Sequence, residues 1–264
     1  MTRNIRMLPA RGWRAAGLLA VCAVLAAVPA ASTPAAMAAA NAAGAANAAD
    51  TTNAASQSDG TDQKRAAREA RPTDIGAARA LPLGTVVTVE GSVTVPSGLF
   101  SSGGTLDQGF AIQDRTGGIY VSVATNLGLT LRQRVLVTGQ LATANGFLIL
   151  VPASAGDVEV VRGRGREVRP LWLRTGSVGP ANQGLLVRVV GVITQPLAPD
   201  PPFGTQIVVD DGSGPLRIFV NTSTGIDLTG LAPGQLLSVT GLSDEFDTPE
   251  IDPRFQSDLR QPRQ

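Results

Sequence analysis

The feature that most constrains this chain is a strand pattern that occurs twice. Residues 86–96 (VVTVEGSVTVP) alternate apolar and polar side chains around Gly91, and residues 186–196 (LVRVVGVITQP) do the same around Gly191. Alternation of this kind predicts a strand, and a glycine within it predicts a bend. Residues 110–123 (FAIQDRTGGIYVSV) and 207–220 (IVVDDGSGPLRIFV) each read as two strands joined by an Asp-x-x-Gly turn, at Asp114–Gly117 and Asp211–Gly214. Aspartate suits such a turn because it bonds the local backbone, and glycine because it accepts positive φ. Both copies then reach a strand read as ending in Val-Thr-Gly, at residues 135–139 and 237–241. A last strand is clear at residues 146–152 and weaker around residues 250–259. Matched positions are offset by 100, 97 and 102 residues, which predicts one duplicated domain rather than a short solenoid repeat.

Five strands per copy, with a long bent first strand and a connector before the fourth, resemble the OB-fold, a small, partly open barrel. The likeness rests on Gly91, residues 110–118 and 137–139, and on Gly191, residues 207–214 and 239–241. It covers residues 81–161 and 177–259. In detail the pattern is similar to the OB-fold modules of exported bacterial proteins, including those that accompany secreted nucleases, and no nuclease domain is expected in this chain. The expected fold is therefore all-β, two tandem five-stranded OB-like barrels following a signal peptide and a disordered tether. An eight-strand sandwich or another small barrel stays open as an alternative.

Residues 1–40 have the parts of an export signal. Arg3, Arg6, Arg11 and Arg14 precede an apolar run at residues 15–28, shorter than the roughly 20 residues of a spanning helix. Small residues follow, with cleavage-compatible triplets at 28–30 and 36–38. The expected location is exported: extracellular, periplasmic or envelope-associated, with no membrane span left after cleavage. Residues 41–79 are rich in Ala, Asn, Ser and Thr and read as a disordered tether, since they offer too little apolar surface to offset the entropy of ordering. The remaining divisions are a first module at 80–161, an Arg/Gly linker at 162–176 and a second module at 177–260.

The chain contains no histidine, and its one cysteine, Cys22, lies in the apolar signal run. That removes Ser-His-Asp triads, thiol nucleophiles beyond the signal and the usual zinc sites. A non-catalytic protein without cofactor or metal is expected. Acids of the first module are scattered. Five in the second (Asp244, Glu245, Asp247, Glu250, Asp252) cluster within nine residues. Their spacing does not fit an EF-hand loop, so they read as a solvated acidic loop rather than a calcium site.

Binding residues follow from strand alternation. In the third strand of the first copy Ile119, Val121 and Val123 fall on one side, and Tyr120 and Ser122 on the other. In the second copy Leu216, Ile218 and Val220 face inward, and Arg217, Phe219 and Asn221 outward. OB-folds present the outer face of strands 2 and 3 to oligonucleotides or oligosaccharides. Tyr120, Ser122, Gln113, Arg115, Arg217 and Phe219 are the candidate contacts there, although Tyr120 and Phe219 equally suit packing against a loop or the other module. Arg162, Arg164 and Arg166 join them, because residues 162–174 hold five arginines against Glu167. That run reads either as a phosphate-tracking segment or as a flexible hinge, with Trp172 anchoring it to a module.

Without residues 1–40 the chain has 18 basic and 21 acidic residues, and residues 175–259 alone carry a net −7. Two functions fit. One is an exported binder of single-stranded nucleic acid, using the first module and the arginine run. The other is a cell-envelope adaptor contacting protein or glycan. The oligomeric state is left open.

Overall fold

The computed structural model describes residues 71–102 and 107–262; the expected signal and most of the tether lie outside them. The chain is almost all β. The first half holds one short helix, α1 (Ile75–Ala78), and six strands: β1 (Val86–Val95), β2 (Phe110–Gln113), β3 (Gly118–Val121), β4 (Gln133–Ala144), β5 (Phe147–Val151) and β6 (Val158–Arg164). The second half holds β7 (Leu171–Trp172), β8 (Leu186–Ile193), β9 (Ala198–Asp200), β10 (Gly204–Asp210), β11 (Leu216–Asn221), β12 (Leu236–Phe246), β13 (Thr248–Asp252) and β14 (Leu259–Arg260).

Each half closes on itself in the same order. The first runs β1-β2-β3-β5-β4 and back to β1; the second runs β8-β10-β11-β13-β12 and back to β8. In each circuit one pairing is parallel, β3 with β5 and β11 with β13, and the others are antiparallel. These are two tandem OB-like barrels. Ile112, Ile119, Val121, Val135 and Leu150 are among the side chains filling the first, and Val189, Ile207, Ile218, Val239 and Ile251 among those filling the second.

Closure depends on long strands that change partner midway, and glycine marks where they do. β1 pairs with β4 over Val86–Ser92 and with β2 from Ser92 onward. A Cβ on Gly91 would lie 3.1 Å from that of Ile112. The Val-Thr-Gly triplets behave alike and do not end their strands. β4 continues past Gly139 to pair with β5, and β12 past Gly241 to pair with β13. A Cβ on Gly139 would sit 2.9 Å from the Val151 carbonyl carbon, so the fifth strand can approach only a glycine.

Two stretches are more ordered than their composition suggests. Thr73 bridges to Val89, and Ile75 and Ala78 of α1 are fully buried against the first core, although by composition residues 41–79 read as a tether. Two apolar side chains suffice once a barrel end receives them. The Arg/Gly run is not a free hinge either. Arg162 and Arg164 belong to β6, which pairs with β4, and β7 pairs in parallel with β8. Trp172 remains 62 % exposed, with Arg188 stacked 5.2 Å from its ring. Among the described residues no helix is long and apolar enough to cross a membrane.

Candidate functional site

The Asp-x-x-Gly turn between β2 and β3 carries Arg115 to the rim of an open groove of about 970 Å³. β4 contributes Arg134 from beneath. The end of β6 and the segment after it bring Arg164, Arg166 and Arg169 along the other side. Of the sequence-predicted residues, Gln113, Arg115, Arg164 and Arg166 therefore meet at one place, while Arg162 lies outside the lining. Arg134 and Arg169 are additions; only the fold brings them to residues distant in sequence.

Three of the four acids in this groove are engaged, while Asp74 is exposed and has no ion pair among the described residues. Glu90 pairs with Arg134, and Glu167 lies 3.6 Å from Arg132. Burial would raise the Asp114 carboxyl, but hydrogen bonds from the Ile75, Thr116 and Gly117 amides and the Thr116 hydroxyl hold it below the usual carboxylate range. Arg115, Arg164, Arg166 and Arg169 are exposed and have no carboxylate partner among the described residues. Four unpaired arginines against the one unpaired carboxylate of Asp74 leave the groove a net cationic surface. It has no aromatic side chain in its lining.

Tyr120 and Ser122 are elsewhere, and the open-face expectation is corrected for both. Tyr120 is 1 % exposed and its hydroxyl donates to Asp107 Oδ1 at 2.7 Å. Ser122 Oγ donates to Asp107 Oδ2 at 2.5 Å. The outer face of β2, β3 and β5 is covered: Ala111, Tyr120, Phe147 and Ile149 pack with Phe100 and with Leu242 of the second barrel. Polar contacts complete the joint. The Leu186 amide donates to Gln113 Oε1 at 2.9 Å, and Arg254 Nη1 donates to the Thr94 carbonyl at 2.7 Å. The surface on which a ligand was expected is a domain interface.

The second barrel keeps its outer face open, as a smaller cleft that includes Arg217, Phe219, Asn221, Asp244, Glu250 and Asp252. Arg217 and Phe219 point outward as alternation predicts, but Arg217 is committed. Its Nε lies 2.6 Å from Glu250 Oε2, and its Nη2 donates to the Phe246 carbonyl. Three carboxylates line the cleft beside this one guanidinium, so Arg217 and Phe219 sit on an acidic surface apart from the arginine groove. The acidic residues are not a solvated loop: Asp244, Glu250 and Asp252 are 8 %, 4 % and 3 % exposed, on paired strands β12 and β13.

No protein-family model matches the sequence, and no curated protein does. Solved structures resemble it weakly. An OBody bound to hen egg-white lysozyme is 18 % identical, with 37 % of this chain and all of that chain covered, at a TM-score of 0.30. A replication protein A heterotrimer bound to ssDNA gives 13 % identity, coverage of 38 % and 84 %, and a TM-score of 0.29. A murine DNA-binding protein bound with dsDNA gives 11 %, coverage of 67 % and 97 %, and 0.35. At these scores the fold assignment rests on the strand order above, not on the likeness.

Proposed function

We propose that this is an exported, non-catalytic protein that binds single-stranded nucleic acid along the arginine groove of its first barrel. The observation that carries the reading is the convergence of Arg115, Arg164, Arg166 and Arg169 on one surface without carboxylate partners. Guanidinium groups pair bidentately with phosphate and remain charged at any physiological pH. With no aromatic platform in the groove, affinity comes from the phosphate backbone, so binding is tolerant of sequence and sensitive to salt. The overall charge of residues 41–264, net −3, weakens long-range attraction and makes the local groove decisive.

Fluorescence anisotropy with labelled single-stranded DNA, double-stranded DNA and an acidic glycan, across a salt series, tests this. Four phosphate contacts on a single strand predict a slope of log K against log salt of about −3. Absence of binding to mixed-sequence single strands at low salt would falsify it. A glycan bound with equal affinity would instead favour the envelope-adaptor reading, which the exposed Leu171 and Trp172 on β7 support.

A further inference from the structure

Asp244 and Glu250 stand directly opposite each other on β12 and β13, and Glu250 is in turn paired with Arg217 on β11. Asp252 follows Glu250 on the same face of β13, while Ile251 between them points into the barrel core. Like charges in cross-strand register are unfavourable even at a surface. Here all three are more than nine-tenths buried, and Arg217 is the only cation ion-paired with any of them among the described residues. When ionised, three carboxylates against one guanidinium leave an excess of two negative charges in a place where uncompensated charge is costly.

The donors around them hold the carboxylates in position without completing their bonding. Asn221 Nδ2 donates to Asp252 Oδ2 at 3.1 Å, and the Glu245 amide donates to Asp244 Oδ1 at 2.6 Å. The other Asp252 oxygen, Oδ1, is buried and has no hydrogen-bond partner. One oxygen from each of Asp244, Glu250 and Asp252 lies within 4.8 Å of those of the other two. A cleft of about 170 Å³ leads to them. Neighbouring acids do not share the site: Glu245 pairs with Gln183, and Asp247 occupies the turn at positive φ.

We infer that Asp244, Glu250 and Asp252 are the protein ligands of a divalent cation site on the outer face of the second barrel, and that its ion is Ca²⁺. An all-oxygen, all-carboxylate set selects a hard cation over zinc or copper. Oxygens within 4.8 Å of one another can be spanned by an ion about 2.3–2.6 Å from each, the calcium distance, and ligands fixed by strand register suit calcium's irregular shell better than the near-ideal octahedron that magnesium demands. The cation supplies the two missing positive charges, and Asn221, Arg217 and the Glu245 amide orient its ligands from behind.

The test is isothermal titration of the full-length protein with CaCl₂ and with MgCl₂ at neutral pH, accompanied by thermal melts. One Ca²⁺ per chain and a raised melting temperature are expected, with Mg²⁺ at least about tenfold weaker. Asp252→Asn and Asp244→Asn each reduce calcium affinity by at least about tenfold while raising the melting temperature of the cation-free protein, because each removes a buried like charge. Asp247→Asn, in the exposed turn, leaves affinity unchanged. No heat and no thermal shift at millimolar calcium overturns the site, as does undiminished binding in both Asn variants. Tighter binding of Mg²⁺ than of Ca²⁺ overturns the choice of ion.

Discussion

Tyr120 donates its hydroxyl proton to Asp107 at 2.7 Å, and that bond turns an expected ligand-binding aromatic into a strut. Asp107 also accepts from Ser102 Oγ at 2.6 Å and from Ser122 Oγ at 2.5 Å, so one buried carboxylate ties β3 to the segment after β1. Burial first, and the neighbouring Asp107 charge second, push the Tyr120 phenol far above its ordinary range. It therefore stays protonated and stays a donor. The ring packs 5.9 Å from that of Phe147, under the second barrel.

Replacing Tyr120 with Phe removes this donor and leaves the ring. The expected cost is about 1–3 kcal/mol of folding stability, the penalty for stripping a partner from a buried charged acceptor. Affinity for single-stranded DNA stays within about twofold, because Tyr120 does not line the arginine groove. Urea denaturation and anisotropy on the same preparation check both halves. A large loss of DNA affinity in a stable variant would return Tyr120 to the binding face.

Two arginines of the groove are expected to differ. Arg166→Ala removes an unpaired charge and shortens the salt slope by about 0.7 for a single strand. Arg134→Ala removes a guanidinium already paired with Glu90 and shifts the slope much less. Equal effects would show that the Glu90 pair opens on binding.

The barrels are held close by backbone. A Cβ on Gly118 would stand 2.0 Å from the Gly184 carbonyl oxygen, with no flexible side chain able to yield. Gly118→Ala must push the second barrel away from β3 and is expected to cost about 1–3 kcal/mol. In calorimetry, one cooperative transition should become two as the barrels uncouple. A variant melting in a single, unshifted transition would contradict this contact.

Acid stability has a local origin in both Asp-x-x-Gly turns. Asp211, at the turn of the second barrel, is pulled down to about 2, chiefly by the Ser213 hydroxyl, with Thr175 and the Ser213 amide adding to it against an opposing desolvation. Asp114 does the corresponding work for Ile75 in the first. A carboxyl lowered on folding contributes stability that is present above its unfolded value, about 3.9, and is lost as pH falls through the folded one. Asp211→Asn should therefore be less stable than the natural protein at neutral pH, and the gap should close between pH of about 4 and 2. Melting temperatures across that range decide it; a gap that widens on acidification would reverse the sign.

These turns mark how much was legible beforehand. Aspartate and glycine at matched positions predicted the hairpins, since turn chemistry is local. That the same aspartates also clasp the incoming segment, Ile75 in one barrel and Thr175 in the other, was not readable, because those partners are 39 and 36 residues away.

The sequence by itself determined two copies of one set of strands, and the barrel was what their resemblance to the OB-fold implied. Period-two alternation, glycines at the bends and a repeat of about a hundred residues can be read from the chain alone, and they specify strands and their succession along it. Which side chains face the core in β3 and β11 followed from the same alternation, and Ile119, Val121, Ile218 and Val220 are buried accordingly. Tertiary structure alone decided what the outer faces meet. Docking of the second barrel onto the first buried Tyr120, and the closing strands gathered Arg115, Arg134 and Arg164 from three separate elements. The β12–β13 register set Asp244 against Glu250, turning an apparent acidic loop into a row of buried carboxylates. Alternation tells which way a side chain points; only the register and packing of distant strands supply the neighbour it finds there.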